Sequence, residues 1–511
     1  MCGILFIAQR DARRIDAGRA RAALERQRWR GPDATGLLSL ADGRVHLGHN
    51  RLAIIDTAHS ADQPMRSGCG RYAIVFNGEI YNHRALQRRF GLDTANRSDT
   101  RTLLEGYAAH GEAFLEALEG MYAFVIHDLH SGGWVAARDA LGIKPLHLAR
   151  RGDDVVIASE PAVVAWLTDA GIDARALAEW RLIRRPLPGA TFFTGVEELL
   201  PGQLLRSDGT RRALWQLARR NERFELDAFE TLLQDVVREH ELSDVRNTAL
   251  LSGGIDSTLI LAMSEVPQVY SVGLPQSNEF DDAQDTADRL GRAMRRVTLE
   301  ADALHARWGE LARLRGEPLS VPNEALIHAA CAAMEPDEKV VLTGEGADEL
   351  MFGYDGVFRW AQRAEQFDAA AFYRHYGYSD SVAPTQRLAD YLDDLRFGKT
   401  TLEWVEDFFY RVHLPGLLRR MDFASMAASK EARVPFADRR LVDYCYRAQA
   451  SDKLDERESK IPLRRLLARR GLTGPLERRK IGFSARVDPH QSRQAEYRRF
   501  QDHVLQELSW S

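Results

Sequence analysis

Three absences narrow the classes of protein that this sequence of 511 residues can encode. No apolar run approaches the ~20 residues that cross a bilayer, so we expect no membrane-spanning segment and no membrane partner. The net charge is only −5, which gives no reason to expect nucleic acid as a partner. The cysteines are few and far apart, so they form neither a metal-ligand cluster nor a disulfide framework, and we predict a reducing, cytoplasmic location. They are Cys2, Cys69, Cys331 and Cys445.

What remains is the composition of an ordinary globular protein, with 45% hydrophobic and 28% charged residues. The length allows about two to four domains. The Arg-rich segment 10–30 is interrupted by acidic residues, which are rare in transit peptides. We therefore interpret it as a solvated amphipathic helix.

The first cysteine has an unusual position, because the chain opens Met1-Cys2. Removal of Met1 would leave a thiol and a free α-amine on one residue, and an amine with a pKa of roughly 7.7–8.0 can serve as the base for its own nucleophile. A lone cysteine is more often a small buried hydrophobe. Cys2 is therefore a candidate nucleophile only if the rest of the chain supports it.

Short apolar runs in the first part predict β-strands around residues 4–7, 72–76, 122–126 and 155–158. Between them, residues 101–117 have the apolar spacing of a helix. Strands that enclose helices indicate a layered α+β domain. A polar, Arg-rich stretch follows residues 201–203, and we predict domains at 1–205 and 206–511.

The second part begins with an amphipathic helix around Phe229 to Val237 and then alternates strands with helices. Strands are predicted at residues 248–251, 269–272 and 339–342, and the stretch from Thr258 to Glu265 is predicted as a helix. This alternation indicates a parallel α/β sheet, with ligands at the carboxyl ends of its strands. From about Trp360 onward the pattern is mostly helical.

The strongest local motif is Ser252-Gly253-Gly254-Ile255-Asp256-Ser257, placed between a strand and a helix. Its glycines allow the backbone to approach a phosphate, and its hydroxyls and helix N-terminus can hold the anion. A bare Ser-Gly-Gly can also be a simple turn. The order strand, loop, Asp-Ser and helix resembles the pyrophosphate loop of the ATP-pyrophosphatase family, which cleaves ATP to AMP and pyrophosphate and forms acyl-adenylates.

A second motif, Thr343-Gly344-Glu345-Gly346-Ala347-Asp348-Glu349, also follows a strand. Three carboxylates so close together would repel one another in a solvated loop, but they are suited to Mg²⁺ and phosphate, and one of them can act as a general base. The alternative is an acidic surface turn.

A third set of residues is suited to an α-amino acid ligand. Arg51 can bind a carboxylate in a bidentate pair, and Asp99 can bind an ammonium group. The amide of Asn77 and the N–H of Gly78 can donate to an oxyanion. Each residue alone is more often structural, but together with Cys2 they are typical of a glutaminase.

These residues belong to a long series of motifs in which the chain resembles the glutamine-dependent asparagine synthetases of the B type. In the first half the matching stretches are Met1-Cys2-Gly3-Ile4, Arg30-Gly31-Pro32-Asp33, Arg51-Leu52-Ala53-Ile54-Ile55-Asp56, Gln63-Pro64-Met65, Phe76-Asn77-Gly78-Glu79-Ile80-Tyr81-Asn82, Ala137-Arg138-Asp139, Gly142-Ile143-Lys144-Pro145 and Ala158-Ser159-Glu160. In the second half they are the Ser-Gly-Gly loop, Gly344 to Glu349, Glu431-Ala432-Arg433-Val434-Pro435-Phe436, Ser459-Lys460, Leu463-Arg464 and Arg479-Lys480-Ile481-Gly482-Phe483.

The resemblance implies an N-terminal nucleophile glutaminase sandwich, followed by an α/β parallel-sheet synthetase domain of the ATP-pyrophosphatase type with a helical C-terminal part. Cys2 would attack the amide carbon of glutamine, and Asn77 and Gly78 would stabilise the oxyanion. Ammonia would reach the second site through an internal tunnel. The glutamine-binding residues would be Arg51, Asn77, Gly78, Glu79 and Asp99.

In the synthetase half, the resemblance implies that ATP and Mg²⁺ are required. Glu345 would deprotonate the incoming ammonia, and Lys460 would neutralise phosphate charge, although an ordinary surface lysine is the alternative for Lys460. Asp256 and Asp348 would lie at the metal. The ATP-binding residues would be Leu251, Ser252, Gly253, Gly254, Asp256, Ser257, Val272, Thr343 and Gly344.

Relatives that close β-lactam or lasso-peptide rings typically lack the Cys after Met, whereas this chain keeps Cys2 and Glu345. Its departures from the family pattern concern mainly the acceptor: Gly316 precedes Glu317-Pro318 in place of Asp, Phe352 replaces a Gly, and Arg101 replaces an acid. Phe352 is expected to reshape whatever its loop lines.

Aspartate is therefore the first candidate for the acceptor. A specialised carboxylate, such as a biosynthetic intermediate or a cell-surface sugar acid, stays open as the alternative acceptor. A ligase that joins a carboxylate to an organic amine, and a degenerate binding module, are the competing hypotheses. The oligomeric state also stays open, with a homodimer as one option. A cluster of late basic residues is interpreted as a solvated helix face turned partly to phosphate rather than as a nucleic-acid site. These residues are Arg464, Arg465, Arg469, Arg470, Arg478, Arg479 and Lys480.

Overall fold

The computed structural model describes residues 2–376, 383–478, 483–487 and 490–510. In chain order, the strands of the first half are β1 (Cys2–Ala8), β2 (Ala34–Leu40), β3 (Val45–Arg51), β4 (Met65–Arg66), β5 (Tyr72–Ile80), β6 (Gly120–Asp128), β7 (Trp134–Arg138), β8 (His147–Arg151), β9 (Asp154–Ala158), β10 (Glu197–Glu198), β11 (Gln203–Arg206) and β12 (Arg211–Ala213). Its helices are α1 (Ala17–Arg26), α2 (His83–Phe90), α3 (Asp99–His110), α4 (Glu112–Leu115), α5 (Pro161–Thr168) and α6 (Ala174–Ile183).

These strands form two antiparallel sheets, in the orders β10-β8-β9-β1-β3-β2 and β12-β11-β7-β6-β5-β4. The alternation of side chains along β1 explains the layering, because successive residues of a strand point to opposite faces. Ile4 and Phe6 pack in the core between the sheets, whereas Leu5 and Ile7 pack on the other face together with residues of α1 and α5. Helices α2 to α4 cover the outer face of the second sheet. The predicted layered sandwich is therefore confirmed.

The second sheet extends past residue 205, since β12 pairs with β11. The predicted boundary between residues 205 and 206 stays a prediction.

The second half contains the strands β13 (Arg246–Leu250), β14 (Gln268–Gly273), β15 (Ala293–Thr298), β16 (Glu338–Leu342) and β17 (Glu431–Arg433). Its helices are α7 (Leu226–His240), α8 (Ile255–Met263), α9 (Phe280–Arg289), α10 (Ala301–Arg315), α11 (Glu324–Ala332), α12 (Ala347–Leu350), α13 (Asp355–Arg363), α14 (Ala369–Tyr376), α15 (Gln386–Arg396), α16 (Thr401–Phe408), α17 (Leu414–Met426), α18 (Arg439–Arg447), α19 (Ile461–Arg469), α20 (Gly474–Glu477) and α21 (Arg493–Leu508).

The five strands form a parallel sheet in the order β15-β14-β13-β16-β17. The chain places β14 and β15 on one side of β13 and then returns to its other side for β16 and β17. The strand order therefore reverses between β13 and β16, and the loops after these two strands meet at the carboxyl edge of the sheet, where α/β proteins bind ligands. Both glycine-containing motifs lie in these two loops.

The helical part after residue 355 has its own aromatic core, which includes Phe358, Trp404 and Phe408. Phe352 belongs to this core: it is buried, stacks on Phe358 at 4.4 Å, and Lys453 Nζ lies 4.1 Å from its ring centroid. The residue that replaces the expected glycine thus packs into the helical part of the protein. In the part of the chain that the structure describes, no helix is long and apolar enough to cross a membrane.

Three local predictions were wrong in detail. The helix predicted at residues 101–117 is divided into α3 and α4 by Gly111, whose φ of +62° suits glycine. The strand predicted at residues 72–76 does not end there; it continues as β5 to Ile80, so Asn77, Gly78 and Glu79 lie within it. Arg30, expected on a solvated helix, is fully buried just after α1.

Arg30 is part of a buried set of charges that joins the two halves. Its Nη1 is 2.6 Å from Glu160 Oε1, and its Nη2 is 2.8 Å from Asp422 Oδ2 on α17. Lys144 Nζ lies 3.5 Å from Asp422 Oδ1. Because removal of one member of a buried ion pair leaves an uncompensated charge, these contacts hold the two halves in one relative orientation.

Acidification is expected to destabilise the contact between the halves through His240, which stacks on Tyr81 at 4.2 Å. Burial lowers the pKa of His240 from 6.5 to about 4. The unfolded chain therefore binds a proton at a higher pH than the folded one, so stability is complete above pH 6.5 and is lost progressively as the pH falls toward 4. The linkage is worth about 3 kcal/mol for this shift.

Urea unfolding of the protein and of its His240→Gln variant, measured between pH 7 and pH 4, checks this expectation. The variant should lose part of the acid dependence. An unchanged slope of stability against pH in the variant would contradict it.

Candidate active sites

Cys2 begins β1 and is held through its backbone on both sides. Its N donates to Asn77 Oδ1 at 2.8 Å, and its carbonyl accepts from Arg30 Nε at 3.0 Å. In β3, Arg51 lies opposite Cys2 in the antiparallel register. The structure thus brings the candidate nucleophile together with two of its predicted partners, Asn77 and Arg51.

The surroundings of the Cys2 thiol act on its pKa in opposite directions. Burial raises the pKa, whereas a hydrogen bond from the Leu52 backbone and the charge of Arg51 lower it. Glu431, on β17 of the other half, raises it. Burial prevails, so the thiol needs a nearby base to become the nucleophilic thiolate.

The predicted oxyanion donors lie in β5 beside Cys2. Asn77 Oδ1 accepts from Cys2, whereas Asn77 Nδ2 is buried and has no hydrogen-bond partner among the described residues. A buried amide donor without a partner is what a developing oxyanion requires. Gly78 has φ +155°, and a Cβ there would lie 2.1 Å from the Met121 carbonyl oxygen on β6. Only glycine fits this position.

Replacing Gly78 by Ala is expected to lower glutamine hydrolysis by about 100-fold and stability by at least about 2 kcal/mol. The clash with Met121 must be relieved by moving β5 or β6, which displaces Asn77 and the Gly78 N–H. Thermal unfolding and glutamate release measure the two effects. Gly171→Ala is the matched control, because a Cβ there meets nothing within 4 Å. Hydrolysis of glutamine by the Gly78→Ala variant at the wild-type rate would show that the Gly78 N–H is not needed.

The remaining predicted glutamine-binding residues, Arg51, Glu79 and Asp99, lie around Asn77 and Gly78. Asp99, at the start of α3, accepts from the backbone of Ile80 at 3.0 Å and of Thr100 at 2.7 Å. Burial raises the pKa of Asp99, and burial with the neighbouring Glu431 raises that of Glu79. The Arg51 guanidinium contacts Asp62 Oδ1 at 2.6 Å and the carbonyl oxygens of Ala58 and Asp56. It is thus held by the 56–62 loop.

The second site is built on the loop between β13 and α8. Leu251 N donates to the Tyr270 carbonyl at 2.8 Å, which ties the loop to β14. Ser252 and Ser257 hold the turn, with their hydroxyl oxygens 3.1 Å apart, and Gly254 N donates to Ser252 Oγ at 3.2 Å. The N-terminus of α8 therefore opens at the carboxyl edge of the sheet, as an anion site requires.

The loop after β16 packs directly against this turn. A Cβ on Gly344 would lie 2.7 Å from the backbone N of Ser257, so the two loops touch only because residue 344 is glycine. Val272 is buried near the end of β14, and Thr343 Oγ1 accepts from Glu345 N at 3.4 Å. The predicted ATP-binding residues from three strands thus share one edge.

Lys460 joins the two motifs. Its Nζ lies 2.6 Å from Asp256 Oδ2 and 2.6 Å from Asp348 Oδ1. A Cβ on Gly353 would lie 2.0 Å from Asp348 Oδ1 and 2.2 Å from Lys460 Cε, so Gly353 is needed for this approach. Lys460 is buried, which argues against the ordinary surface lysine.

Two carboxylates that converge on one cation are compatible with Mg²⁺, which commonly takes one or two carboxylates and completes its shell with phosphate oxygens and water. Asp256 and Asp348 would hold it. Within the described ranges no group of three or more His, Cys, Asp or Glu side chains forms a metal site.

A cavity of about 260 Å³ opens over these loops. Glu345 lines it and is paired with Arg420 of α17, and Arg420 Nη1 donates to Asn323 Oδ1 at 3.3 Å. Arg420 was not among the residues predicted for this site. The sequence signal that could have identified Arg420 is a charged residue on a helix stripe whose neighbouring members, Leu417 and Met421, are apolar. The further wall residues are Arg184, Val321, Tyr354, Phe483, Arg493 and Tyr497.

The residues at which the chain departs from the family pattern lie in different places. Gly316 ends α10 with a φ of +70°, which suits glycine. The retained Glu317 beside it is buried between Arg315 Nε, at 2.7 Å, and Arg419 Nη2, at 2.5 Å. Arg101 donates to the Arg66 carbonyl at 2.9 Å on the first half.

Of the late basic residues, Arg469 pairs with Asp227, and Arg478 pairs with Asp285 and donates to the Gly253 carbonyl at 3.3 Å. Arg478 therefore touches the phosphate-type loop. Arg479 and Lys480 lie outside the described residues.

A cysteine at the start of an antiparallel sandwich, joined to a phosphate-type loop on a parallel sheet, defines an amidotransferase with a glutaminase half and a synthetase half. Residues 1–216 match the glutamine amidotransferase domain family, and residues 228–510 match the asparagine synthase family. The chain therefore belongs to the asparagine synthase family. It is a glutamine-hydrolysing carbon–nitrogen ligase of this type, and the family implies the use of glutamine and ATP.

Individual relatives agree. A putative glutamine-hydrolyzing asparagine synthetase of Mycobacterium tuberculosis is 31% identical, over 94% of this chain and 87% of that protein. Asparagine synthetase 3 of Bacillus subtilis is 27% identical over 86% and 79%, and asparagine synthetase B of Escherichia coli is 27% identical over 89% and 76%. A solved glutamine phosphoribosylpyrophosphate amidotransferase from B. subtilis is only distantly similar, with a TM-score of 0.32 at 15% identity over 68% of this chain and 77% of that one.

Proposed function

We propose that this protein adenylates a carboxylate with ATP and converts it to an amide with ammonia released from glutamine, with aspartate as the first acceptor. The observation that carries the proposal is the shared cavity. The Ser252–Ser257 loop, suited to phosphate, and Glu345, suited to proton transfer, open into the same space. Adenylation and amide formation can therefore follow one another without release of the intermediate.

In the glutaminase half, the Cys2 thiolate attacks the amide carbon of glutamine, and its own α-amine, exposed by removal of Met1, takes the thiol proton. Asn77 Nδ2 and Gly78 N donate to the oxyanion. The α-ammonium then returns the proton to the leaving nitrogen, so collapse releases ammonia and leaves a thioester, which water hydrolyses to glutamate. Arg51 would bind the glutamine carboxylate. Its guanidinium, which the 56–62 loop now holds, would then contact both the loop and the carboxylate. Asp99 and Glu79 would bind the ammonium group.

In the synthetase half, an acceptor carboxylate oxygen attacks the α-phosphorus of ATP, and the bond to pyrophosphate breaks. Lys460 stabilises the charge that develops on the phosphates, and Mg²⁺ held by Asp256 and Asp348 would neutralise the pyrophosphate. Ammonia then attacks the acyl carbon, Glu345 accepts its proton, and AMP leaves. The products are the amide, AMP and pyrophosphate.

Ammonia would pass between the sites through the interior of the protein. The support is the buried path of contacts from the Cys2 carbonyl through Arg30 to Asp422 on α17, the helix that also carries Arg420 into the cavity. Buried contacts thus run from the first site toward the helix that lines the second.

A larger carboxylate is the second candidate acceptor. The observation that favours it is the wall of the cavity, where Tyr354, Tyr497 and Phe483 offer aromatic surface that aspartate does not need. An organic amine as nucleophile has no such support, since Cys2 and Glu345 are both present.

Product analysis after incubation with glutamine, ATP, Mg²⁺ and aspartate tests the proposal. Asparagine, glutamate, AMP and pyrophosphate in equal amounts are expected. Glutamate without asparagine or AMP would exclude aspartate and direct the search to larger carboxylates. Release of ADP instead of AMP would overturn the adenylation step.

A further inference from the structure

Arg420 occupies a distinctive position in the wall of the synthetase cavity. Helix α17 presents Leu417, Arg420 and Met421 to this space, and Arg420 is the charged member of the three. It is only 6% exposed. Its Nη2 is paired with Glu345 Oε2, and its Nη1 reaches Asn323. The residue therefore contacts the predicted base directly.

The guanidinium is not fully satisfied in this arrangement. Arg420 Nε is buried and has no hydrogen-bond partner in the part of the chain that the structure describes. A buried donor without a partner costs about 1–3 kcal/mol, so a modest rotation that engages Nε is favourable when a suitable acceptor arrives. The Nε and Nη2 edge of a guanidinium matches the two oxygens of a carboxylate.

The charges in the cavity favour the same ligand. Lys460 already contacts two carboxylates, Asp256 and Asp348, and Glu345 supplies a third. A substrate carboxylate brought close to these groups is repelled unless a cation faces it. Arg420 is the guanidinium adjacent to the predicted base, where the reacting carboxyl group must lie.

We propose that Arg420 binds the acceptor carboxylate, and that this binding releases Glu345 from its ion pair. The inference rests on the proposed function, because it assigns the acceptor position in that site. While Glu345 holds the Arg420 guanidinium, its Oε2 is occupied by a charge-assisted hydrogen bond. After the exchange this oxygen no longer accepts from Arg420 and can take a proton from ammonia. The base is thereby presented only when an acceptor is in place.

ATP–pyrophosphate exchange isolates this role, because adenylation requires bound acceptor but no deprotonation of ammonia. Arg420→Met should raise the acceptor KM, with aspartate as probe, by roughly 30- to 100-fold, which corresponds to the loss of a charge-assisted pair. Arg420→Lys keeps the charge without the fork and should show an intermediate rise of roughly 10-fold. The KM for ATP should change by less than about twofold in Arg420→Lys, which separates a carboxylate contact from a phosphate contact.

A control variant, a folding measurement and a Glu345 variant separate carboxylate binding by Arg420 from other effects of its replacement. Arg238→Lys, an exposed change on α7, should match the wild type, and thermal unfolding reports whether the Arg420 variants fold. Glu345→Gln should lower amide formation more than exchange. If the Arg420 variants keep the acceptor KM in exchange and lose only amide formation, Arg420 merely positions Glu345 and the proposal is wrong.

An equal rise in the KM for ATP and for acceptor would also overturn the proposal, because it would place Arg420 at the phosphates. If the wild type shows no acceptor-dependent exchange with aspartate or with larger carboxylates, the proposed adenylation itself fails, and the inference fails with it.

Discussion

Replacing Cys2 by Ala is expected to lower glutamine-dependent amide formation by at least about 1,000-fold, because no other group can form the thioester. The strand position of residue 2 is set by the backbone bonds to Asn77 and Arg30, which do not involve the thiol. The variant should therefore fold normally and still form the amide from free ammonium. Glutamate, amide and AMP measured with each nitrogen source check the expectation.

The exposed Cys69 supplies the matched control, and Cys69→Ala should leave both nitrogen sources equally effective. Equal loss of glutamine-dependent and ammonium-dependent synthesis in Cys2→Ala would overturn the division into two sites. It would show instead that residue 2 acts through the contact between the halves.

Replacing Lys460 by Met is expected to lower acceptor-dependent ATP–pyrophosphate exchange by about 1,000-fold, since it removes a preorganised cation from the phosphate site. The Lys460 ammonium now lies between Asp256 and Asp348. Without its charge the two carboxylates repel the phosphates of ATP more strongly. Both the KM for ATP and kcat should therefore suffer.

Arg457→Ala is the matched control, because Arg457 is exposed on the loop just before Lys460. Its exchange rate should equal that of the wild type. Exchange in Lys460→Met within about tenfold of the wild type would argue that Lys460 has only a structural role in holding the two aspartates.

Much of the fold was predictable from the sequence, for a local reason. The strands β1, β9, β14 and β16 and the helix α7 have patterns that their own residues determine, and all were predicted within a few residues. The error at Asn77–Glu79 has a non-local cause. A polar Asn-Gly-Glu sequence favours a turn, but β5 is paired along its whole length with β6, which is distant in the chain, and this pairing extends the strand.

The residues of the candidate sites were likewise predictable from sequence only in part. Cys2, the Ser252–Ser257 loop and Glu345 could be named from sequence, because each stands in a short motif whose neighbours indicate its chemistry. The resemblance to the asparagine synthetases then placed them in two sites. Phe352 shows the limit of this reasoning: its replacement of a glycine was visible, but its side chain packs into the helical core and does not line the cavity.

The sequence by itself determined the class of reaction, since the candidate nucleophile, the phosphate-type loop and the predicted base are local features. Only the tertiary structure decided which distant residues contact them. It places Lys460 against Asp256 across 204 residues of chain, Arg420 against Glu345, and Arg30 between Cys2 and Asp422. Such pairs depend on the packing of whole helices and sheets, and a linear pattern encodes only the spacing of residues along one element.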